Sequence, residues 1–231
     1  MTGFDRPSLL AKLAHGSDTL GLALDATTVE LLLDYLALLS KWNAVYNLTA
    51  VRDPAQMVVQ HLLDSLAAWP YCKAAQQVLD VGAGGGLPGL VLAICAKQLQ
   101  PSMKIALVDT VHKKTAFLTQ AKAELGLANV TVYTARVEQL QLPAHFDVIT
   151  SRAFADLAHF VQGSSHLLAP GGHFVAMKGQ IPQDEIAALP SDWEASEIRP
   201  LQVPGMQAER HLIFIQRRTE QYATKRAAFS I

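Results

Sequence analysis

The residues best suited to chemistry form a glycine-rich segment that follows the apolar pair Val78-Leu79 and reads Asp80-Val81-Gly82-Ala83-Gly84-Gly85-Gly86-Leu87-Pro88-Gly89. Glycines let a backbone turn sharply and approach a ligand closely, because no Cβ stands in the way. Pro88 suits the first turn of the helix predicted to follow, where a missing N–H is tolerated. A strand, a glycine turn and a helix N-terminus together are typical of nucleotide-binding corners in α/β proteins. The ligand-binding residues that this segment predicts are Asp80, Gly82, Gly84 and Gly86.

Two kinds of ligand suit such a corner. The string from Gly84 to Gly89 matches the Gly-x-Gly-x-x-Gly pattern of dinucleotide sites, but it starts two residues after the natural end of the strand at Gly82. The pattern of S-adenosylmethionine sites, an acidic residue followed by Gly-x-Gly-x-Gly, fits in register from Asp80. We therefore predict S-adenosylmethionine as the cofactor. The alternative is a dinucleotide, and with it a nicotinamide-dependent oxidoreductase.

Two acidic residues are predicted to bind the same cofactor. Asp109 ends the second predicted strand, where its carboxylate can accept hydrogen bonds from both ribose hydroxyls. Capping of the following helix is another role for Asp109, and both roles can coexist. Glu138 follows the third strand and either faces the adenine edge or stabilises a helix N-terminus through the helix dipole.

Methyl transfer from a sulfonium needs the nucleophile and the methyl group held in line, and the acceptor atom decides what else is required. Pyrimidine C5 requires a cysteine nucleophile, but Cys72 precedes the first strand and Cys95 lies in its helix. Methylation of an exocyclic base amine usually shows Asn/Asp-Pro-Pro-aromatic after the fourth strand, where this chain has Ser151-Arg152-Ala153-Phe154. Guanine N7 carries a lone pair and no proton, so it requires no general base. We predict Arg152 and Phe154 as the catalytic residues, with Phe154 either stacking on the base or packing in the core.

An alternation of strands and helices from Gln76 onward must position these residues. Such units predict a parallel sheet with helices on both faces, and ligands bind at the carboxyl ends of its strands. The last two strands are predicted to form a hairpin, because the link around Pro204-Gly205 is too short for a crossover helix. The predicted strands are Val78–Val81, Lys104–Asp109, Val130–Thr134, Phe146–Thr150, His173–Lys178, Glu194–Val203 and Arg210–Gln216. The predicted helices are 88–99, 111–125, 157–168 and 184–189, and Pro170-Gly171-Gly172 is predicted as a turn.

These elements define the predicted fold class. It is α/β, a seven-stranded, mostly parallel, Rossmann-like sheet that resembles the class I methyltransferase sheet, with helices on both faces and an N-terminal helical appendage. The predicted boundaries are residues 1–75 for the appendage, 76–218 for the S-adenosylmethionine-binding domain and 219–231 for a frayed tail.

The appendage shows its own helix signals. Thr27 is the predicted N-cap of one helix, with Glu30 as its capping-box partner, and Pro54 opens another. Asn47 and Thr49 are expected to tie the appendage to the cleft. Two further residues, His61 and Asp64, lie three positions apart on a helix, so they either pair with each other or face RNA, and we expect the structural pair.

The composition excludes several function classes. No apolar run approaches the roughly 20 residues of a membrane helix, and the N-terminus lacks the basic-then-apolar plan of a signal peptide. The two cysteines have neither metal-ligand spacing nor a disulfide framework, so no metal site is predicted. We therefore expect a cytosolic, monomeric protein that does not associate with a membrane.

The formal net charge of −1 gives no global argument for a nucleic-acid partner. RNA would have to be held by a local patch, since phosphate contacts hold and orient a nucleic acid while base contacts specify it. For each cation taken singly, a surface charge or an ion-pair partner is the favoured interpretation, except for Arg152, which follows the fourth strand at the topological switch. The predicted RNA-binding residues are Arg52, Arg136, Lys178 and Arg210, together with Arg152.

A set of segments is far more specific than the glycine loop alone. They are Lys41-Trp-Asn-Ala-Val-Tyr-Asn-Leu-Thr-Ala-Val-Arg-Asp-Pro, His61-Leu-Leu-Asp-Ser, Asp80-Val-Gly-Ala-Gly-Gly-Gly-Leu-Pro-Gly, Ser151-Arg-Ala-Phe-Ala, Lys178-Gly-Gln and Glu209-Arg-His-Leu. In these segments, from about residue 30 to 216, the chain resembles the bacterial small-subunit ribosomal RNA guanine-N7 methyltransferases, also called the glucose-inhibited division protein B family.

The resemblance implies cofactor contacts by Gly82, Leu87, Val137, Glu138 and Arg152, and it adds Asp109. It also implies methylation of one guanine in the 530-loop region of 16S ribosomal RNA, either free or in the small ribosomal subunit. The family often has proline at the position of Gly85, a departure that we expect to add flexibility to the loop. Two further hypotheses remain from the residues themselves, a methyltransferase for a small molecule or protein, and a binding protein without catalytic activity.

Overall fold

A seven-stranded sheet organises the chain. The computed structural model describes residues 3–152, 154 and 156–218. Its strands are β1 Gln77–Val81, β2 Lys104–Asp109, β3 Val130–Thr134, β4 Phe146–Ser151, β5 Leu168–Lys178, β6 Trp193–Pro200 and β7 His211–Arg217. Their order in the sheet is β3-β2-β1-β4-β5-β7-β6. The predicted tail, 219–231, lies outside the described residues.

The strand directions confirm the predicted fold class. Neighbouring strands from β3 to β5 pair in parallel. β7 runs antiparallel to both β5 and β6, which confirms the predicted hairpin of the last two strands. The carboxyl ends of β1, β2, β3 and β4 therefore meet at one edge of the sheet, where ligands bind in open α/β sheets.

The helices occupy both faces of the sheet. They are α1 Arg6–Thr19, α2 Ala26–Tyr46, α3 Pro54–Met57, α4 Asp64–Leu66, α5 Trp69–Cys72, α6 Gly89–Leu99, α7 His112–Glu124, α8 Leu157–Ser164 and α9 Gln183–Ala187. A π-helix, Val58–Leu63, joins α3 to α4, and short 3-10 helices cover Val137–Gln139 and Ser165–Leu167. None of the helices in the described part of the chain combines the length and the apolar character that crossing a membrane requires.

Two apolar cores lie on opposite faces of the sheet. Successive residues of β1 point to opposite faces, so Val78 enters one core and Leu79 the other. The helices before β1 pack in the first core, where Leu32 of α2 and Leu62 of the π-helix join Leu92 of α6. The second core is built around α8. The N-terminal helices and the glycine loop that follows β1 thus border the same apolar cluster.

The start of α2 differs from its prediction. Thr27 is not the N-cap, because α2 already begins at Ala26 and Asp25 caps it, accepting a hydrogen bond from the amide of Thr28 at 2.7 Å. Glu30 does not complete a capping box, and its carboxylate binds Arg6 of α1 instead. Asp25 was the stronger cap signal, since a carboxylate accepts helix amides at least as well as a hydroxyl.

The predicted turn at Pro170-Gly171-Gly172 is also wrong. These residues continue β5, which pairs with β4 through an irregular register next to Phe146 and Val148. A Cβ on Gly172 would lie 2.9 Å from the carbonyl oxygen of Asp147. Glycine here therefore serves a close approach of two strands, which the sequence alone does not distinguish from a turn.

The helix that Pro54 opens contains a feature that the sequence does not indicate. Its middle six residues, Val58–Leu63, form a π-helix, with one more residue per hydrogen-bonded turn than an α-helix. Such insertions occur frequently at functional sites. This one determines how the side chains that follow it, above all Asp64, face the carboxyl end of β4.

Candidate functional site

A cavity of about 440 Å³ opens at the carboxyl ends of β1, β2 and β3. We call it the strand-end cavity, and its lining residues are Val81, Gly82, Val108, Asp109, Thr110, Val111, Lys114, Ala135, Arg136, Val137, Glu138 and Phe154. It brings together five residues predicted from the sequence to bind cofactor or to catalyse, namely Gly82, Asp109, Val137, Glu138 and Phe154. Arg136, predicted to bind RNA, also lines it, whereas Asp80, Gly84, Gly86, Leu87 and Arg152 do not.

The glycine loop depends on left-handed backbone conformations. Gly82, Gly84 and Gly86 have φ angles of 70°, 56° and 90°, which side chains rarely adopt. A Cβ on Gly86 would also meet the side chain of Leu90 at 2.5 Å. These glycines shape the loop from behind the cavity, and among them Gly82 alone contributes to its lining.

Tyr35 of α2 holds the same loop from the N-terminal side. Its hydroxyl is fully buried and donates a hydrogen bond of 2.6 Å to the carbonyl oxygen of Gly85. Burial raises the pKa of Tyr35 well above its usual value, so the hydroxyl keeps its proton for this bond. The sequence analysis missed this residue because it reads as one more apolar position of α2.

Asp80 is completely buried beneath the start of α6. Its Oδ2 accepts a hydrogen bond of 2.8 Å from the amide of Gly89, whereas its Oδ1 has no hydrogen-bond partner among the described residues. Burial raises the pKa of Asp80 to about 7, and the nearby charge of Asp109 adds to the rise, although the Gly89 amide and Arg152 oppose it. A buried carboxylate with one unpaired oxygen suits a cationic ligand group and disfavours a pyrophosphate.

The stability of the protein should therefore fall as pH rises from about 4 to about 7, by at most about 1.4 kcal/mol per pH unit from this group. Over that range folded Asp80 is protonated while unfolded Asp80 is ionised, so the folded state binds the extra proton. Asp80→Asn removes this titration. Urea unfolding of both proteins should be measured between pH 4 and 8. As pH rises, the free energy of unfolding of the variant should increase relative to that of the wild type. Parallel stability curves would contradict the assignment.

Asp109 links the glycine loop to the loop that follows β2. Its Oδ2 accepts from the amide of Gly84 at 3.0 Å, and its Oδ1 accepts from the amide of Val111 at 2.9 Å. It does not cap α7, since Val111 occupies that position. Lys114, which the sequence analysis missed, lies 3.5 Å from Oδ2. Each carboxylate oxygen retains lone pairs, so Asp109 can still accept from a diol in the cavity.

Asp109→Ala should weaken binding of S-adenosylhomocysteine by roughly 10- to 100-fold, because it removes both the proposed diol acceptor and the tie to Gly84. Isothermal titration would measure the change. The matched control is Asp147→Asn, since Asp147 also accepts two backbone amides, those of Gln76 and Gln77, but at the opposite edge of the sheet. The control should lose stability and keep its affinity. Equal affinities of wild type and Asp109→Ala would refute this role.

The far wall of the cavity combines a carboxylate with apolar surface. Val137 and Glu138 lie on the 3-10 helix after β3, where the valine is buried and the glutamate exposed. Phe154 is half-buried, and its ring centroid lies 5.4 Å from that of Phe160 in the second core. Phe154 therefore both packs in the core and lines the cavity, so the two roles suggested for it from the sequence are compatible.

A second cavity, of about 260 Å³, is lined by residues near the carboxyl ends of β4 and β5. We call it the arginine cavity, and its lining residues are Asp64, Arg152, Met177, Lys178, Gly179 and Arg210. It gathers Lys178 and Arg210, both predicted to bind RNA, with Arg152. Phe154 lines one cavity and Arg152, two positions earlier in the chain, lines the other.

The predicted pairing of His61 with Asp64 is wrong. The Nε2 of His61 lies 2.9 Å from the hydroxyl of Thr49, and its Nδ1 has no hydrogen-bond partner in the described part of the chain. Burial and the charge of Arg152 lower the pKa of His61 to about 4, so the ring is neutral. The π-helix turns Asp64 away from His61 and toward the arginine cavity, where it meets Arg152 and Arg210.

The remaining predicted cations differ in their surroundings. Lys178 pairs with Glu185 at 2.7 Å. Arg52 donates to the side chain of Asn47, which caps the end of α2, and lines neither cavity. The structure thus brings three of the five predicted cations to one cavity and Arg136 to the other.

The described residues contain no group of His, Cys, Asp and Glu side chains arranged to hold a metal ion. Cys72 and Cys95 are unpaired and buried, and burial raises the pKa of each to about 12, so neither is a thiolate nucleophile at neutral pH.

The chain resembles one known protein family and several solved structures over most of its length. The family described as rRNA small subunit methyltransferase G, or GidB, matches residues 28–213. A "Ribosomal RNA small subunit methyltransferase G" from Janthinobacterium sp. (strain Marseille) is 63% identical over 217 residues, which are 94% of this chain and 99% of that protein. Its namesake from Herminiimonas arsenicoxydans is 64% identical over 217 residues, 94% of this chain and 100% of that protein.

Solved structures of low sequence identity share the fold. The O-methyltransferase TomG from Streptomyces achromogenes, in complex with S-adenosylmethionine, superposes with a TM-score of 0.57 at 16% identity, over 94% of this chain and 100% of that chain. The N-methyltransferase NodS from Bradyrhizobium japonicum, in complex with S-adenosylhomocysteine, gives a TM-score of 0.52 at 12% identity, over 78% of this chain and 100% of that chain.

Proposed function

The chain belongs to the rRNA small subunit methyltransferase G family, and from this premise we propose that it transfers a methyl group from S-adenosylmethionine to N7 of one guanine in the 530-loop region of 16S ribosomal RNA. One observation carries the proposal. Phe154 lines the strand-end cavity, which is suited to a nucleoside, and Arg152, two positions earlier in the chain, lines a cavity that gathers three cations. A methyl donor in one cavity and an RNA backbone in the other would therefore be held by residues that are near neighbours in the chain.

The strand-end cavity would hold S-adenosylmethionine, which supplies an electrophilic methyl group on a sulfonium. Asp109 would accept from the ribose hydroxyls, while Val137 and Glu138 would contact the adenine. Gly82 leaves room for close approach of the ligand to the backbone. Asp80 lies beneath the loop, and in its ionised form it would favour the cationic end of the ligand. Gly84, Gly86 and Leu87 would act by setting the shape of the loop.

The arginine cavity would hold the RNA backbone. A guanidinium binds phosphate through paired N–H donors, and Arg152 and Arg210 both line the cavity. Lys178 adds a third cation, while Arg52 and Arg136 would make outlying contacts. With a net charge of −1, the chain has no general attraction for RNA, so this local cluster must provide it.

The chemistry at the acceptor requires orientation rather than proton transfer. Guanine N7 presents a lone pair, so the residues around the segment after β4 need only align it with the methyl group and exclude water. Phe154 offers an aromatic face for the base, and Arg152 offers donors for its oxygen or for a neighbouring phosphate. We also propose that the enzyme acts as a cytosolic monomer, because these two cavities lie within one chain.

The test uses labelled S-adenosylmethionine and small ribosomal subunits from cells that lack this protein. After digestion to nucleosides, the label should appear in 7-methylguanosine. Subunits from cells that contain the protein serve as the control and should take up little label, because their site is already methylated. Label in another nucleoside would overturn the choice of N7, and the absence of label from RNA would overturn the proposal as a whole.

A further inference from the structure

Asp64 is a buried carboxylate that two arginines from distant parts of the chain share. Only 1% of its side chain is exposed. Its Oδ1 accepts from Nε of Arg210 at 3.1 Å, and its Oδ2 lies 3.4 Å from Nη1 of Arg152. Asp64 follows the π-helix, Arg152 follows β4 and Arg210 precedes β7, so one side chain joins three elements at the arginine cavity.

We propose that Asp64 is a positioning residue, which fixes Arg152 and Arg210 so that their remaining N–H groups bind an RNA phosphate in the arginine cavity. This inference rests on the proposed function, since it names how that function's RNA side is assembled.

The donors left over by these contacts support the inference. Arg152 uses Nη1 twice, for Asp64 and for the carbonyl oxygen of Gln60 at 2.8 Å. Arg210 uses Nε for Asp64 and Nη1 for the carbonyl oxygen of Glu209 at 3.0 Å. Within residues 3–152, 154 and 156–218, Nε and Nη2 of Arg152 and Nη2 of Arg210 have no hydrogen-bond partner. About a quarter of each arginine side chain is exposed, 25% and 27%, and both side chains line the arginine cavity.

The negative charge of Asp64 indicates that any favourable contribution of this residue to RNA binding comes from orienting the arginines. A carboxylate beside two guanidinium groups lowers the positive charge of the cavity, and by charge alone it weakens the attraction for phosphate. Its burial is also unfavourable, and burial raises the pKa of Asp64 although both arginines oppose the rise. A role through charge and a role through orientation therefore predict opposite effects on RNA binding when the charge is removed.

The chain offers a charge-matched control in Glu185, which does not line the arginine cavity but pairs with a lysine that does. Glu185 pairs with Lys178 at 2.7 Å and accepts the amide of Leu157 at 3.0 Å. Glu185→Gln removes one negative charge, as Asp64→Asn does, and keeps an oxygen to accept that amide. The two variants thus change the charge near the cavity equally, but only Asp64→Asn replaces a carboxylate oxygen that faces an arginine with an amide NH₂, so that at least one of the two arginines loses its acceptor.

The experiment measures KM for undermethylated small ribosomal subunits and KM for S-adenosylmethionine. Asp64→Asn should raise the KM for subunits about tenfold or more, the usual effect of losing a buried partner that orients a binding group. The KM for S-adenosylmethionine and the melting shift with S-adenosylhomocysteine should not change. The slope of log KM against log salt concentration should fall by roughly one, the signature of one lost phosphate contact. Glu185→Gln should not raise the KM for subunits.

Arg210→Lys keeps the charge on a partly exposed side chain and provides a second test should Asp64→Asn fold poorly. Lysine cannot donate to Asp64 and also present a planar second donor, so the KM for subunits should rise. An unchanged or lower KM for subunits in Asp64→Asn or in Arg210→Lys would overturn the inference. So would a loss of both cofactor binding and RNA binding in Asp64→Asn, which indicates a structural role. Failure of the wild-type protein to methylate subunits at all would instead overturn the proposed function.

Discussion

Arg152→Ala should lower kcat/KM for RNA methylation by about 100-fold, equivalent to ~2.7 kcal/mol of lost transition-state stabilisation. The side chain lines the arginine cavity directly after β4, two residues from Phe154 in the strand-end cavity. It is the cation best placed to hold RNA against the methyl donor. Arg152 also pairs with the buried carboxylate of Asp64, which would keep only Arg210 as a partner in the variant. The free energy of unfolding should therefore fall as well.

Two comparisons separate these effects. Arg152→Lys retains the charge but not the fork of donors, and its activity should fall between those of wild type and Arg152→Ala. Lys104→Ala removes an exposed cation at the opposite end of β2 and should leave methylation unchanged. Single-turnover rates and the melting shift with S-adenosylhomocysteine would be measured for each variant. A fall in activity for Arg152→Ala no larger than that for Lys104→Ala would show that the RNA site lies elsewhere.

Gly89→Ala should lower the free energy of unfolding by about 3 kcal/mol, the upper end of the usual cost of overpacking. A Cβ on Gly89 would lie 2.2 Å from Cδ2 of Leu107 and 2.7 Å from Oδ2 of Asp80. The N-terminus of α6 is pressed against β1 and β2 at this point, and the Gly89 amide donates to Asp80. Relief of the clash would move α6 away from Asp80, so cofactor affinity should fall together with stability.

Gly163→Ala in α8 provides the helical control. The three atoms nearest its Cβ would all belong to the side chain of Glu138, the closest at 3.3 Å, and that exposed side chain can move aside. Alanine in a helix is otherwise favourable by up to about 1 kcal/mol, so this variant should unfold at similar or higher urea concentration than the wild type. If the two variants lost equal stability, close packing at Gly89 would not explain the need for glycine there.

The fold was largely predictable because its signals are local and repeated. Strand β2 and the helix after it, ended by Gly126 in a left-handed conformation, follow directly from hydrophobic pattern and turn residues. The errors arose where one residue type serves two purposes. Gly172 permits close approach of β4 and β5 but reads as a turn, and Thr27 reads as a cap although Asp25 performs that role. The π-helix was not predicted, because no hydrophobic pattern or capping residue in the sequence distinguishes it from an α-helix.

The candidate site was predictable to the extent that it follows strand ends. Gly82, Asp109 and Glu138 were found because the carboxyl ends of neighbouring parallel strands share one edge. The pairing of Asp64 with Arg152 and Arg210 was not, because it joins residues 88 and 146 positions apart in the chain. Contacts at such separation follow from the packing of whole elements. The predicted pair assumed that His61 and Asp64 lie on one face of an α-helix, and the π-helix changes that spacing.

The bond between Tyr35 and Gly85 has a consequence for the integrity of the enzyme. Its donor is inaccessible to water, so we expect the bond to break only when α2 separates from α6 and the glycine loop. The mobility expected from glycine at position 85 is therefore restrained, and the loop and the N-terminal helices should exchange their amide hydrogens as a single cooperative unit. A shortened protein that begins at β1 would retain every strand of the sheet, but its glycine loop would lack the hydrogen bond from Tyr35 that holds it in the cofactor-binding conformation.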